Sequence, residues 1–276
     1  MRKIGLIAGV GRLPVEFARA ASGMGVQVIG VGVLPEVDPE LAQVVHVYEQ
    51  INIAKLDRIF KVFKREKVSE VTLLGKITKE LVYAHRELPD LRVLKIFSRI
   101  KNFSDDTITL ALVEDFASEG IAVLDQTELL RPLMPTAGVL TARRPTEAEL
   151  ADMKFGLVMA KNIGGLDIGQ TVVVKNRAVM AVEAIEGTDA CIRRGGQLGR
   201  GGVTVAKAAK PKQDKRFDVP GVGPDTIASM AAAGAVALVI EAEQTLVVDR
   251  ALMVEQANRH GMTIVAMSGD EAGIHG

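Results

Sequence analysis

The chain has 276 residues, 48% hydrophobic and 25% charged, with 34 basic side chains balanced by 34 acidic ones. That length suits one large domain or two ordinary ones with ample apolar material for a core, and zero net charge leaves no footprint for nucleic acid. Two tyrosines, eight phenylalanines and no tryptophan give few platforms for stacked bases, and the single Cys191 excludes an internal disulfide framework and a cysteine-based zinc site.

Arg2-Lys3 precedes an apolar run over residues 4–10, but Gly9, Gly11, Arg12 and Pro14 break it before it can form a secretory signal. No segment has the roughly 18 uninterrupted apolar residues of a membrane span, so the sequence reads as soluble and cytoplasmic. Residues 3–8 form a β-like run, 13–24 carry apolar side chains at helical spacing, and 26–33 return to a β pattern. The alternation continues with a helix over 53–67, a strand over 70–74, a helix over 107–119 and a strand over 121–124. Strands alternating with crossover helices predict a Rossmann-like, doubly wound, largely parallel α/β sheet for residues 1–130. Residues 131–145 hold Pro132, Pro135, Gly138 and Pro145, show no sustained period, and read as a linker.

Residues 146–276 have a different texture. Thr146 with Glu149 forms a capping box at a helix start. Strands over 171–175 and 178–185 join through a hairpin-like Asn176-Arg177 connection. Further strands over 203–206, 236–240, 245–248 and 263–265, with helices over 224–233 and 250–260, predict a second domain of mixed α+β type.

In the first half, Gly9-Val10-Gly11-Arg12-Leu13-Pro14 lets a phosphate or sugar approach backbone at a helix start. A tight strand-to-helix turn explains the glycines equally well. As a dinucleotide fingerprint it fails: the third glycine is missing, Pro14 has no N–H, and no acidic residue closes the second strand. Gly75-Lys76 ends a strand at the edge where open α/β sheets hold ligands, and a lysine there can meet phosphate or simply be solvated. Ser104-Asp105-Asp106 suits a helix N-cap.

The second half is richer. Gly187-Thr188-Asp189 should start a short helix ending at Gly195-Gly196, with Thr188 or Asp189 capping and free N–H groups suited to an anion. Glu183, Glu186, Arg193 and Arg194 crowd that start, and strand alternation turns one glutamate towards it. Lys207, Lys210, Lys212, Lys215 and Arg216 interleave with Asp214 and Asp218 and lead into Gly221-Val222-Gly223-Pro224-Asp225-Thr226. Helix-start chemistry explains Pro224 and Asp225 singly. Their arrival beside a cationic loop and further carboxylates points to a divalent cation held against phosphate. His46, His85, His260 and His275 have no metal-ligand spacing, and no nucleophile elbow is present.

These motifs resemble the LpxI family, the UDP-2,3-diacylglucosamine diphosphatases of lipid A biosynthesis. The resemblance is carried by residues 166–174 (Leu-Asp-Ile-Gly-Gln-Thr-Val-Val-Val), 181–189 (Ala-Val-Glu-Ala-Ile-Glu-Gly-Thr-Asp), 192–194, 210–220 and 223–226, and in the first half by 7–14, Gly75-Lys76 and Asp105-Asp106. It implies a substrate-binding domain over 1–130, a linker over 131–145 and a catalytic domain over 146–276. It also implies magnesium-dependent hydrolysis to UMP and 2,3-diacylglucosamine 1-phosphate (lipid X), with Asp225 at the family's catalytic position. The resulting expectation is a catalytic set of Asp225, Asp189, Asp214 and Lys210, with Asp225, Asp214 and Asp218 as metal ligands. Substrate contacts are expected from Gly9, Gly11, Arg12, Lys76, Asp105, Gln170, Gly187, Thr188 and Arg194. The acylated UDP-sugar implies peripheral contact with the inner membrane, and a homodimer is the default assembly. A non-hydrolytic nucleotide-sugar enzyme and a nucleotide-binding module are the alternatives.

Overall fold

A computed structural model describes residues 1–77, 87–100, 105–211, 213–217 and 219–273, without the side chains of 105 and 106. Asp218, Lys212, Ser104, His85, His275 and the side chains of Asp105 and Asp106 therefore lie outside the described residues. The chain divides into two units, Met1–Leu130 with Lys215–Phe217, and Arg131–Asp214 with Asp218–Gly276.

The first unit runs β1 (Lys3–Ala8), α1 (Leu13–Gly23), β2 (Gln27–Gly32), α2 (Leu41–Val44), β3 (Val47–Gln50), α3 (Leu56–Arg65) and β4 (Glu70–Leu74). It continues with α4 (Leu91–Phe97), α5 (Asp105–Ser118), β5 (Ala122–Val123) and α6 (Thr127–Leu130). All five strands are parallel, in the order β3-β2-β1-β4-β5. Ile4, Leu6 and Ile7 of β1 are wholly buried, as a central parallel strand covered on both faces requires. Strand order reverses between β1 and β4, so the crevice beyond their carboxyl ends is where a sheet of this kind holds ligands. Phe60 of α3 stacks on Phe116 of α5 at 4.4 Å, and Arg92 of α4 lies 3.9 Å above the Phe60 ring while pairing with Asp57, Asp115 and Glu119.

The second unit absorbs the stretch expected to be a linker. After a 3-10 turn, Arg131–Leu133, the strand β6 (Gly138–Val139) pairs antiparallel with β13 (Thr263–Met267). Arg143 then pairs with Glu149 at 2.8 Å and donates to the carbonyls of Gly261 and Val236. A two-residue edge strand has no period to read, so proline and glycine content dominated the sequence signal.

The long helix α7 (Glu147–Gly165) begins with the expected Thr146–Glu149 capping box. Strands β7 (Thr171–Lys175) and β8 (Ala178–Val182) follow, with Asn176 and Arg177 both at positive φ (52° and 56°), the backbone that lets a two-residue turn match strand twist. The buried Asp152 carboxylate accepts both turn N–H groups. Then come α8 (Thr188–Gly199), β9 (Val203–Lys207), β10 (Gly221–Val222), α9 (Pro224–Ala232), β11 (Ala235–Glu241), β12 (Leu246–Val247), α10 (Arg250–Arg259), β13 and α11 (Gly269–Ala272). The large sheet has the order β6-β13-β11-β9-β7-β8, with β9, β11 and β13 parallel and the others antiparallel to their neighbours; β10 and β12 pair separately.

Alternation within the strands feeds two cores. Val205, Leu238, Ile240 and Ile264 pack with Ile192 of α8, Ile227 and Met230 of α9 and Met253 of α10. Ala206, Ala237, Val239 and Val265 face Met153, Leu157 and Ala160 of α7. The sheet is thus covered on both sides, and its parallel strands read as continuous apolar runs. No described helix is long and apolar enough to cross a membrane.

Candidate functional site

Because α8 leads into β9 and α9 into β11, both helices run against the strands they precede and start at the carboxyl edge of β9 and β11. Thr171 lies opposite Lys207 in the β7–β9 pairing, and β8 ends at the same edge. Residues scattered through the sequence therefore meet there. Lys207 Nζ donates to Thr188 Oγ1 at 3.1 Å, and that hydroxyl donates to Glu183 Oε1 at 2.7 Å. Glu183 Oε2 accepts the Gln170 N–H at 3.3 Å, and Thr171 Oγ1 lies 3.5 Å from Thr188 Oγ1. Gln213 Nε2 donates to Gln170 Oε1 at 3.4 Å, Gln213 Oε1 accepts the Lys210 N–H at 2.9 Å, and Lys210 Nζ pairs with Asp167 Oδ1 at 2.7 Å. Gly169 makes the turn into β7 feasible: a Cβ there would collide with the Glu183 backbone.

Two local expectations are corrected. Neither Thr188 nor Asp189 caps α8; Gly187, at φ 78°, is the N-cap and no side chain bonds the cap position, because the Thr188 hydroxyl is committed to Glu183 and Lys207. Nor does α8 stop at Gly195-Gly196. It continues to Gly199, and these glycines serve packing: a Cβ on Gly195 would lie 2.5 Å from Val173 Cβ, and one on Gly196 would lie 2.6 Å from Ala233 Cβ.

Helix α9 starts from Gly223 with Pro224 in its first turn, and Thr226 Oγ1 accepts the Gly223 N–H at 3.3 Å. Ser229 Oγ donates to Asp189 Oδ1 at 2.9 Å, tying α9 to α8. Asp225 precedes Ser229 by four residues and so shares its helix face. The exposed Asp225 carboxylate lies in the first turn of α9, about one turn before Ser229, and the half-buried Asp189 carboxylate lies in the first turn of α8. Glu186 turns away from this network. It pairs with Arg194, whose hydrogen bond holds the Glu186 carboxyl below the usual carboxylate range, and Arg194 also donates to the Val182 carbonyl at 2.8 Å. Arg194, expected at phosphate, is thus engaged at the end of β8. Burial pushes the Cys191 thiol up to about 12, so it is no nucleophile at neutral pH.

Among the described residues, no three His, Cys, Asp or Glu side chains gather closely enough to hold a metal ion. Of the expected trio Asp225, Asp214 and Asp218, Asp214 lies half-buried in the loop after Lys210 and Asp218 is outside the described residues. Asp225 and Asp189 are the carboxylates in the first turns of α9 and α8. Two carboxylates suit magnesium, which keeps much of its water and completes its shell with substrate phosphate.

In the first unit, Val10 and Lys76 form an antiparallel bridge, with N–H···O distances of 2.9 and 2.8 Å. Gly75 has φ 93° and a Cβ on it would lie 2.7 Å from the Gly9 carbonyl carbon, while a Cβ on Gly9 would lie 2.6 Å from the Lys76 oxygen. Backbone contact therefore accounts for both glycines. Gly11 (φ 111°) and the Lys76 side chain are exposed at this edge. Arg12 pairs with Asp38 at 3.0 Å and with Glu40, and its hydrogen bond keeps the Glu40 carboxyl below the usual range.

Asp167, Thr171, Gln213, Ser229, Lys161 and Glu241 are placed at or beside the second unit's site without having been singled out from sequence. Glu241 carried one readable signal, an acid ending an otherwise apolar strand.

The LpxI N-terminal domain matches residues 3–133 and the LpxI C-terminal domain residues 136–265. The UDP-2,3-diacylglucosamine pyrophosphatase LpxI of Caulobacter vibrioides is 34% identical over 283 residues, spanning 98% of this chain and 99% of that protein. Among solved structures, the biotin carboxylase domain of a single-chain bacterial carboxylase matches 60% of this chain at 16% identity and a TM-score of 0.26. Phosphoribosylglycinamide synthetase from Anaerococcus prevotii matches 67% at 14% identity and a TM-score of 0.27. The chain spans only 35% and 39% of those two lengths, and scores this low do not indicate a shared fold. With both halves matched in order and a relative of the same extent, the chain belongs to the LpxI family.

Proposed function

We propose that the chain hydrolyses the pyrophosphate bond of UDP-2,3-diacylglucosamine, giving UMP and 2,3-diacylglucosamine 1-phosphate, with magnesium as cofactor. Family membership supports the reaction class. The observation that carries the site is the packing of the start of α8, with Asp189, against α9, whose first turn bears Asp225, beside the Lys207 and Lys210 network. Water attacks one phosphorus, the bridging P–O bond breaks, and its electron pair leaves on the departing phosphate. Asp225 orients the water and takes its proton; Lys207 and Lys210 balance charge on phosphate oxygens, and the N–H groups at the starts of α8 and α9 donate to them. Asp225 and Asp189 would hold the magnesium ion, which when bound neutralises diphosphate oxygens. The setting we infer is the cytoplasm, with the acyl chains of the substrate bringing the protein to the membrane surface.

The direct test is incubation of the purified protein with the acylated UDP-sugar and magnesium, followed by UMP measurement. Binding without UMP release would overturn the enzymatic reading in favour of a binding module. Excess EDTA is expected to abolish UMP release and added magnesium to restore it; full activity in EDTA would eliminate the metal from the scheme. Thr188→Val keeps side-chain shape but removes the hydroxyl between Lys207 and Glu183. It is expected to lower kcat/KM by about 10–100-fold, from a lost charge-assisted bond of about 1.5–3 kcal/mol, as read from initial rates of UMP release.

A further inference from the structure

Glu241 ends β11 and is 7% exposed. Its two carboxylate oxygens accept from Lys161 Nζ of α7 at 2.8 and 2.9 Å, and Oε2 also accepts the backbone N–H of Ala209 at 2.9 Å. Neither charge belongs to the network of Lys207, Thr188 and Glu183. A buried ion pair is a weak source of stability, because loss of hydration offsets much of the attraction, and apolar residues of similar volume often replace such pairs without loss. What an apolar pair cannot supply is an acceptor for the Ala209 N–H.

That N–H sits in the segment that delivers the cations. As the chain leaves β9, the Ala208 N–H donates to the Gln170 carbonyl at 3.0 Å, Ala209 to Glu241, and Lys210 to Gln213. Three successive backbone donors are thus engaged, the first by the turn into β7, the middle one by a buried charge and the third by Gln213 of the same loop. Moving Ala209 would move Lys210, whose ammonium reaches Asp167, and would strain the end of β9 that carries Lys207.

We propose that Glu241, neutralised by Lys161, is a positioning residue that fixes the segment from Lys207 to Lys210 against the substrate diphosphate. This rests on the diphosphatase reading, and Glu241 itself touches no substrate.

The test compares full-length variants by UMP kinetics, thermal melting and amide exchange over residues 208–213. Lys161→Met with Glu241→Leu removes both charges and the acceptor. It leaves the buried Ala209 N–H without its acceptor and should melt a few degrees below wild type, while Ala209 exchanges faster and kcat/KM falls by about ten-fold or more, as small displacements of catalytic groups do. Lys161→Met with Glu241→Gln restores an acceptor without charge and should recover most of the activity and protection. If the leucine variant does not fold, Glu241→Asp keeps the ion pair but draws the acceptor back from Ala209, and the same losses are expected. Wild-type kcat/KM in a folded leucine or aspartate variant would overturn the proposal, as would lost activity with unchanged exchange at Ala209. If wild-type protein itself releases no UMP, the diphosphatase reading fails, and exchange at Ala209 still decides whether Glu241 holds the segment.

Discussion

Asp225→Ala is expected to lower kcat by about 10²–10⁴-fold, the usual contribution of a positioned proton acceptor, while the protein stays folded. The side chain is exposed in the first turn of α9, so its loss removes only a favourable interaction with the helix dipole of about 0.3–1 kcal/mol. In a unit of this size that lowers the melting temperature by about 1–4 °C. Asp225→Asn keeps the shape and removes the charge, and should be nearly as damaging to turnover. UMP release at the wild-type rate by either variant, with magnesium present, would show that Asp225 has been assigned the wrong role.

Gly196→Ala should come next in size, although it changes no chemical group of the site. Its methyl would collide with the Ala233 carbonyl oxygen at the end of α9, so α8 and α9 must separate. Overpacking of this kind costs about 1–3 kcal/mol, and the better helix propensity of alanine returns about 0.5–1 kcal/mol. The net loss of stability is modest. The larger effect is geometric, because the contact of these helices through Ser229 sets where Asp189 stands relative to the first turn of α9, which carries Asp225. A shift near 1 Å between catalytic groups costs about 100-fold in rate, so kcat should fall far more than the melting temperature would suggest. A Gly196→Ala protein with wild-type kcat would show that close contact of α8 and α9 is not required for catalysis.

The elements most legible in the sequence were those with chemical stops at both ends. Residues 3–8, 70–74 and 171–175 are strands with the bounds their apolar runs suggested, because Gly9, Gly75 and the Asn176-Arg177 turn end them abruptly. Strand β8 is shorter than its sequence pattern. Its pattern runs to residue 185, but pairing stops at Val182, where the chain turns and Glu183 reaches Gln170 and Thr188. In the candidate site, Thr188, Asp189, Lys210 and Asp225 are legible as candidates because helix starts and charge runs are local features. Thr171 and Lys207 become neighbours only through the pairing of β7 with β9, and Ser229 meets Asp189 only through helix packing. No local pattern encodes which strands or helices are adjacent.

The bridge between Val10 and Lys76 fastens the loop after β1 to the loop after β4. Ordering a residue's backbone costs about 1–2 kcal/mol, and at this edge that cost falls on folding, before any ligand arrives. A substitution at Gly9 or Gly75 would disturb the backbone after both strands at once, so its expected cost is to the stability of the whole first unit rather than to one loop.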